Sequence, residues 1–244
     1  MKEYTARLSI PSLEEGMVLL VDKPLNWTSF DVVAKLRNSI KKTLNVRKYK
    51  VGHAGTLDPL ATGLLVICTG RLTKSISTFQ DLDKEYTGTI SLGATTPTFD
   101  REMDFDARYP VDHITPEDLE NARAHLTGEI VQNVPIYSAV KIDGVRMYQK
   151  ARKGEEVRVK SRTVHVHQFE IDARNFPDLD FRLIVSKGTY IRAIANDFGR
   201  LVNSGGYLSE LRRTKIGDLS VDDAWNLDEL VNSVEALAND NPQK

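Results

Sequence analysis

The stretch Gly52-His53-Ala54-Gly55-Thr56-Leu57-Asp58-Pro59-Leu60-Ala61-Thr62-Gly63 holds the side chains best placed to do chemistry. It has one imidazole and one carboxylate, five residues apart, set among three glycines. Glycine lets a backbone pass close to another group or take positive φ. Pro59 disfavours helix at Asp58 and stiffens the turn. The run Leu64-Leu65-Val66-Ile67-Cys68 follows and reads as a buried strand. A glycine-rich loop that offers one acid beside a buried strand holds a catalytic carboxylate rigidly. Such a carboxylate serves as a nucleophile or as a base.

Charge sharpens the picture. Between Val32 and Leu57 there is no Asp or Glu, while Lys35, Arg37, Lys41, Lys42, Arg47, Lys48 and Lys50 all fall there. Asp58 is the first acid after this basic strip. A lone carboxylate beside many cations points to a site for a polyanion, with the acid kept ionised by its neighbours. On composition alone, the reading of the cations as a solvated helix face, with Asp58 closing a turn, comes slightly ahead. The order of the residues decides otherwise.

The elements that must position this loop can be read from periodicity. Met17 to Val21 reads as a short buried strand. Thr28 or Ser29 caps a helix to about Lys41, with Phe30, Val33, Leu36 and Ile40 at helical spacing. Leu72, Ile76 and Phe79 mark a helix ending before Asp81. Tyr86 to Leu92 alternates as a strand. Thr115-Pro116-Glu117-Asp118 opens a helix that runs to Leu126 and is stopped by Gly128. Val157 to Val159, Thr163 to Ile171 and Phe181 to Ser186 read as strands. Ile191, Ile194, Ala195, Phe198 and Leu201 mark a helix ended by Ser204-Gly205-Gly206, and a last helix spans about Leu227 to Leu237. Intermixed strands and helices with no repeat give the α+β class with a mixed or antiparallel sheet.

At 244 residues, 41% hydrophobic and 27% charged, the chain has the composition of a soluble globular protein. It shows no run of signal-peptide or membrane-spanning length, so a cytoplasmic protein without membrane attachment is expected. Its one cysteine, Cys68, reads as a small buried hydrophobe. The net charge of −1 hides an asymmetry: residues 216–244 carry seven acids and one lysine, leaving +5 for the rest. Positive charge gathers at 35–50, 146–162 and 182–215, with seven Lys or Arg in each. A nucleic-acid surface needs only a basic face, not a basic protein.

The loop from Gly52 to Gly63 resembles, without gaps, the catalytic loop of the TruB family of tRNA pseudouridine synthases. The resemblance runs from about Gly16 to Leu230. Asp22-Lys23-Pro24 through Thr28-Ser29, Tyr137-Ser138-Ala139-Val140-Lys141, Lys187-Gly188-Thr189-Tyr190-Ile191-Arg192 and Leu211-Arg212-Arg213 are similar to further motifs of that family. It implies the pseudouridine synthase fold, a bisected mixed sheet flanked by helices with a central catalytic cleft. It also implies one catalytic domain over residues 1–244, without the C-terminal PUA-type RNA-binding domain of many bacterial members. The implied activity converts uridine-55 in the T loop of tRNA to pseudouridine. The implied partner is the tRNA T stem-loop, with no obligatory protein partner and a monomeric state.

The same resemblance assigns roles. Asp58 is the essential aspartate, acting on base or sugar. Tyr86 is the stacking tyrosine, His53 helps seat the flipped nucleotide, and Leu211 closes on the uracil ring. Tyr190 lies beside the base, and Arg192, two residues on, shares its face in an extended segment and could pair with Asp58. Asp100 and Lys141 are supporting residues. Two departures stand out: Pro97 where the family has an acid, and Val134-Pro135-Ile136 where a proline pair is common. The reaction needs no redox change and no added group, so no cofactor and no metal is expected. His165 and His167 alternate on a strand, but no cluster of Cys or carboxylates supports a metal site there. The loop lacks the Gly-Lys-Ser/Thr ending of a phosphate loop. The alternative function is an RNA-binding or RNA-folding factor whose catalysis is secondary.

Overall fold

Nearly every apolar run becomes a strand or a helix face. The computed structural model describes residues 7–135, 141–142, 145–146 and 161–239. In chain order, the elements of the first half are α1 (Ile10–Glu15), β1 (Val18–Lys23), α2 (Ser29–Thr43), β2 (Val51–Ala54), β3 (Ala61–Thr69), α3 (Ile76–Asp81), β4 (Lys84–Leu92), β5 (Ala94–Thr95), β6 (Ala107–Arg108) and α4 (Pro116–His125). Then come β7 (Gly128–Asn133), β8 (Lys141–Ile142), β9 (Val145–Arg146), β10 (Ser161–Asn175), β11 (Asp178–Val185), α5 (Ile191–Leu201), β12 (Gly206–Ile216), β13 (Leu219–Ser220), β14 (Trp225–Asn226) and α6 (Leu227–Asn239). The expected strand at Val157 to Val159 and most of the basic segment 146–162 lie outside the described residues.

The chain forms two compact units, residues 1–85 with 212–244 and residues 86–211. It passes between them inside β4 and inside β12. In the first unit the strand order is β14-β1-β3-β12, with β2 on β3 and β13 on β12. β1 runs antiparallel to β3 and parallel to β14, so the sheet is mixed, as expected. The run Leu64–Cys68 of β3 is apolar because both its faces are covered. Leu65 and Ile67 join Leu19, Val21, Leu36 and Val234 on one side, while Leu64, Val66 and Cys68 join Val18, Leu20 and Phe79 on the other. In the second unit the order is β12-β4-β11-β10-β7. There α5 buries Ile191, Ile194, Ala195 and Phe198, and the Phe198 ring meets Phe169 edge-on at 5.9 Å.

Helix starts were legible from capping residues. Thr28 caps α2 and Thr115 caps α4, each with a reciprocal bond from the Asp three residues on. The helix expected around Leu72 to Phe79 begins as a 3₁₀ turn over Gly70–Ser75, and α3 starts only at Ile76. Gly128 does not cap α4; it opens β7 with φ +90. Phe30 does not belong to the buried stripe of α2, which is Val32, Val33, Leu36 and Ile40. At 3.6 residues per turn it stands roughly a third of a turn from that stripe. The eleven residues of β12 carry four charges, Glu210, Arg212, Arg213 and Lys215, which masks the alternation that would have announced a strand.

Candidate active site

The first unit holds His53 and Asp58. β2 ends at Ala54, the chain turns over residues 55–60, and β3 resumes at Ala61. The turn is tied to its surroundings on both sides of the acid. Before it, the buried Ser29 hydroxyl accepts from the Leu57 N–H at 2.8 Å and donates to the Leu57 carbonyl at 3.1 Å. After it, the Pro59 carbonyl accepts from the Asn26 N–H at 2.9 Å and from Lys23 Nζ at 3.4 Å. The Asp58 carbonyl accepts from the Ala61 N–H at 3.1 Å, closing the turn. Asp58 is half-buried.

Two buried cations lie behind this turn. Arg213 is only 1% exposed. Its Nε donates to the Leu64 carbonyl at 2.8 Å and its Nη2 to the Gly55 carbonyl at 3.1 Å, so one guanidinium joins the two arms of the loop. The glycines of the motif make room for it. A Cβ on Gly63 would lie 2.3 Å from the Arg213 carbonyl oxygen, and one on Gly55 would lie 3.3 Å from Arg213 Nη1. Lys23 is fully buried, with Nζ on the carbonyls of Trp27 (2.6 Å), Pro24 (2.9 Å) and Pro59. Burial lowers its pKa to about 8, against the opposing pull of the Asp58 charge. Burial first, and then the Arg213 charge, hold His53 below the ordinary imidazole value, so its ring is mainly neutral at pH 7. In front of Arg213 in sequence, Arg212 grips Asp22 with two hydrogen bonds of 3.0 and 2.7 Å.

The second unit holds Tyr86, Asp100, Tyr190, Arg192 and Leu211. Arg192 is 4% exposed, far from the weak surface ion pair that its position at a helix entrance also allowed. Its Nη1 donates to the Thr98 carbonyl at 2.7 Å, and its Nε lies 3.6 Å from Asp100 Oδ2. Asp100 is itself buried, and its other oxygen accepts from the Glu102 N–H at 2.9 Å. The loop carrying Asp100 is built despite Pro97: Thr96 Oγ1 donates to the Asp100 carbonyl at 2.6 Å, and Phe99 takes φ +62.

Tyr190 and Arg192 are not on an extended segment. Tyr190 is the N-cap of α5 and Arg192 stands in its first turn, so the alternation expected of a strand does not apply. Tyr190 is held instead by Gln132, whose amide accepts the Tyr190 N–H at 2.7 Å and donates to its carbonyl at 3.0 Å. The Arg162 guanidinium covers the Tyr190 ring at 4.5 Å. Gly188 lets Arg162 in, since a Cβ there would lie 2.8 Å from Arg162 Nη1. Tyr86 and Leu211 are the first and last residues of this unit, on β4 and β12; Tyr86 is 8% exposed and Leu211 half-buried. Lys141 lies on β8; the motif residues 137–140 before it are outside the described residues. His165 and His167 share an exposed face with ring centres 4.6 Å apart, and among the described residues no group of three or more metal-ligating side chains occurs.

Lys23, Arg213, Gln132 and Arg162 were not singled out as site residues. The first two stood inside motifs quoted for their resemblance. Gln132 and Arg162 carry no local signal, because strand pairing alone brings β7 and β10 beside the start of α5.

The comparisons with known proteins show the family. The family profile described as "TruB family pseudouridylate synthase (N terminal domain)" matches residues 41–191. Curated proteins named "tRNA pseudouridine synthase B" are similar over most of their length. That of Flavobacterium johnsoniae is 51% identical over 87% of this chain and 93% of its own. That of Chlorobaculum tepidum is 48% identical over 95% and 96%. Among solved structures, one titled "Crystal Structure of a Cbf5-Nop10-Gar1 Complex" matches with a TM-score of 0.68 at 27% identity. This chain spans 97% of its own length and 60% of that one there. Another, "Structure of H/ACA RNP bound to a substrate RNA containing 2'-deoxyuridine", matches with a TM-score of 0.66 at 26% identity, over 96% of this chain and 58% of that one. A carboxylate pinned on both flanks in the matched motif and near-half identity along whole relatives place the chain in the TruB family of pseudouridylate synthases.

Proposed function

We propose that this enzyme converts uridine-55 in the T loop of tRNA to pseudouridine, with Asp58 as the catalytic residue. The observation that carries the reading is the Asp58 turn: its neighbours Leu57 and Pro59 are both tied by hydrogen bonds, and buried Lys23 and Arg213 back it. The relatives named for action on tRNA support the substrate. In the reaction the bond from uracil N1 to ribose C1′ breaks, the base turns, C5 bonds to C1′ and loses its proton, and N1 takes up a proton, so that the net change is an isomerisation. Nothing is oxidised or reduced, so no cofactor or metal is called for. Asp58 attacks the base, attacks the sugar, or removes a ribose proton; each route needs its ionised form beside a cation.

The target base must leave the folded RNA to be reached. Tyr86 then offers it a stacking face, Leu211 closes on it, Tyr190 lies beside it and neutral His53 helps seat the nucleotide. Arg192, held by Asp100, and Lys141 are supporting residues. The enzyme works as a cytoplasmic monomer, as a single catalytic domain without an obligatory protein partner. The test is unmodified tRNA transcript incubated with the wild-type enzyme and with Asp58→Asn, read by carbodiimide labelling and primer extension. Pseudouridine at the T-loop uridine with wild type only is the expected result. Binding by both proteins with modification by neither would favour the RNA-folding reading.

A further inference from the structure

Phe30 and Leu25 are unusual among the large apolar side chains of the first unit. Phe30 is 65% exposed and Leu25 53% exposed. Single exposed apolar residues are ordinary, but these two sit at informative places. Leu25 precedes Asn26, whose N–H holds Pro59. Phe30 follows Ser29, whose hydroxyl holds Leu57. Each therefore lies one residue from a tie to a neighbour of Asp58. Backbone dimensions put their Cα atoms within roughly 12 Å of that of Asp58, the reach of an adjoining nucleotide.

Around them cations stand beside two acids, Asp31 next to Phe30 in the cap of α2 and Asp228 paired with Lys35. The Arg37 guanidinium stands 6.0 Å from the Phe30 ring centre, and the Lys35 ammonium 5.1 Å from that of Trp27. From Val32 to Leu57 no acid interrupts the seven Lys and Arg. An apolar lip with one covering guanidinium and a basic flank suits an unstacked base joined to its phosphates. It does not suit an acidic or a purely apolar partner equally well, because a nucleotide offers a flat ring and an anion together.

We propose that Leu25 and Phe30 form a stacking lip for an unpaired base next to the target uridine, with Arg37 against its phosphate. This rests on the function proposed above and adds a binding subsite beside the Asp58 turn.

The test uses the full chain and a synthetic T stem-loop RNA, with affinity read by fluorescence anisotropy. Phe30→Ala should weaken binding about tenfold, and Phe30→Tyr should restore most of it. Arg37→Ala should weaken binding less and flatten its salt dependence. The same RNA with one abasic nucleotide on either side of the target should show the loss at one position. There Phe30→Ala should add nothing further. Unchanged affinity of Phe30→Ala, or equal losses on every abasic RNA, would overturn the lip and leave it to a protein partner. Wild-type enzyme that forms pseudouridine in this RNA while Phe30→Ala binds normally would refute the subsite alone. Wild type that neither binds nor modifies it would remove the proposed function as well.

Discussion

Replacing Arg213 by Met tests whether the cation behind the loop is what holds Asp58. Met keeps most of the side-chain volume and removes both donors, stranding the carbonyls of Gly55 and Leu64 in a buried place. Each stranded acceptor costs about 1–3 kcal/mol. Relief from burying a charge offsets part of that, so the net loss should be about 2–4 kcal/mol. Both tryptophans, Trp27 and Trp225, belong to the first unit, so urea unfolding followed by tryptophan fluorescence reads the unit that carries Arg213. Turnover should fall further than stability alone explains, because the guanidinium joins both arms of the loop. A misplacement near 1 Å costs about a hundredfold. Single-turnover pseudouridine formation in the cold, where both proteins remain folded, separates the two effects. Arg213→Lys keeps the cation but cannot reproduce the forked pair of ties, so it should fall between wild type and Met. Arg213→Met within about 0.5 kcal/mol of wild type and within threefold in rate would refute the reasoning.

Two other predictions follow from the same loop. Lys23 titrates at about 8 in the fold against its ordinary 10.5, so the unfolded chain binds more protons between those values, and this group alone makes the fold more stable as pH rises through that window. Activity should move the opposite way, since a neutral amine has two N–H groups for three carbonyls and no charge to set against Asp58; an alkaline limb near pH 8 that vanishes in Lys23→Met is the expected rate profile, and a limb that survives in Lys23→Met would assign it elsewhere. Gly63→Ala places a Cβ 2.3 Å from the Arg213 carbonyl at φ +102, whereas Gly128→Ala meets nothing within 4 Å at φ +90. Both pay for the backbone conformation, but the first should lose about 3 kcal/mol more by urea unfolding, and equal losses would show that the close approach is unimportant.

Much of this protein was written in local sequence. Caps at Thr28 and Thr115, the doubly buried run of β3 and the glycine-rich turn are short-range signals, and each reports a constraint acting within a few residues. The motif also placed Asp58 in a stiff turn, and the turn is there. What it could not name is what the glycines make room for. Arg213 lies some 150 residues from Gly63, and only the pairing of β12 with β3 brings its main chain close enough to forbid a Cβ there. Arg192 was read on an extended segment because alternation and helix entry look alike over three residues, and burial against Asp100 became visible only once α5 was placed. Gln132 and Arg162 hold Tyr190 through strand register, which no local pattern encodes. Sequence alone determined which residue types meet the chemistry and where the chain must turn. The tertiary structure decided which buried cations and amides hold them still, because those contacts depend on sheet order between segments remote in the chain.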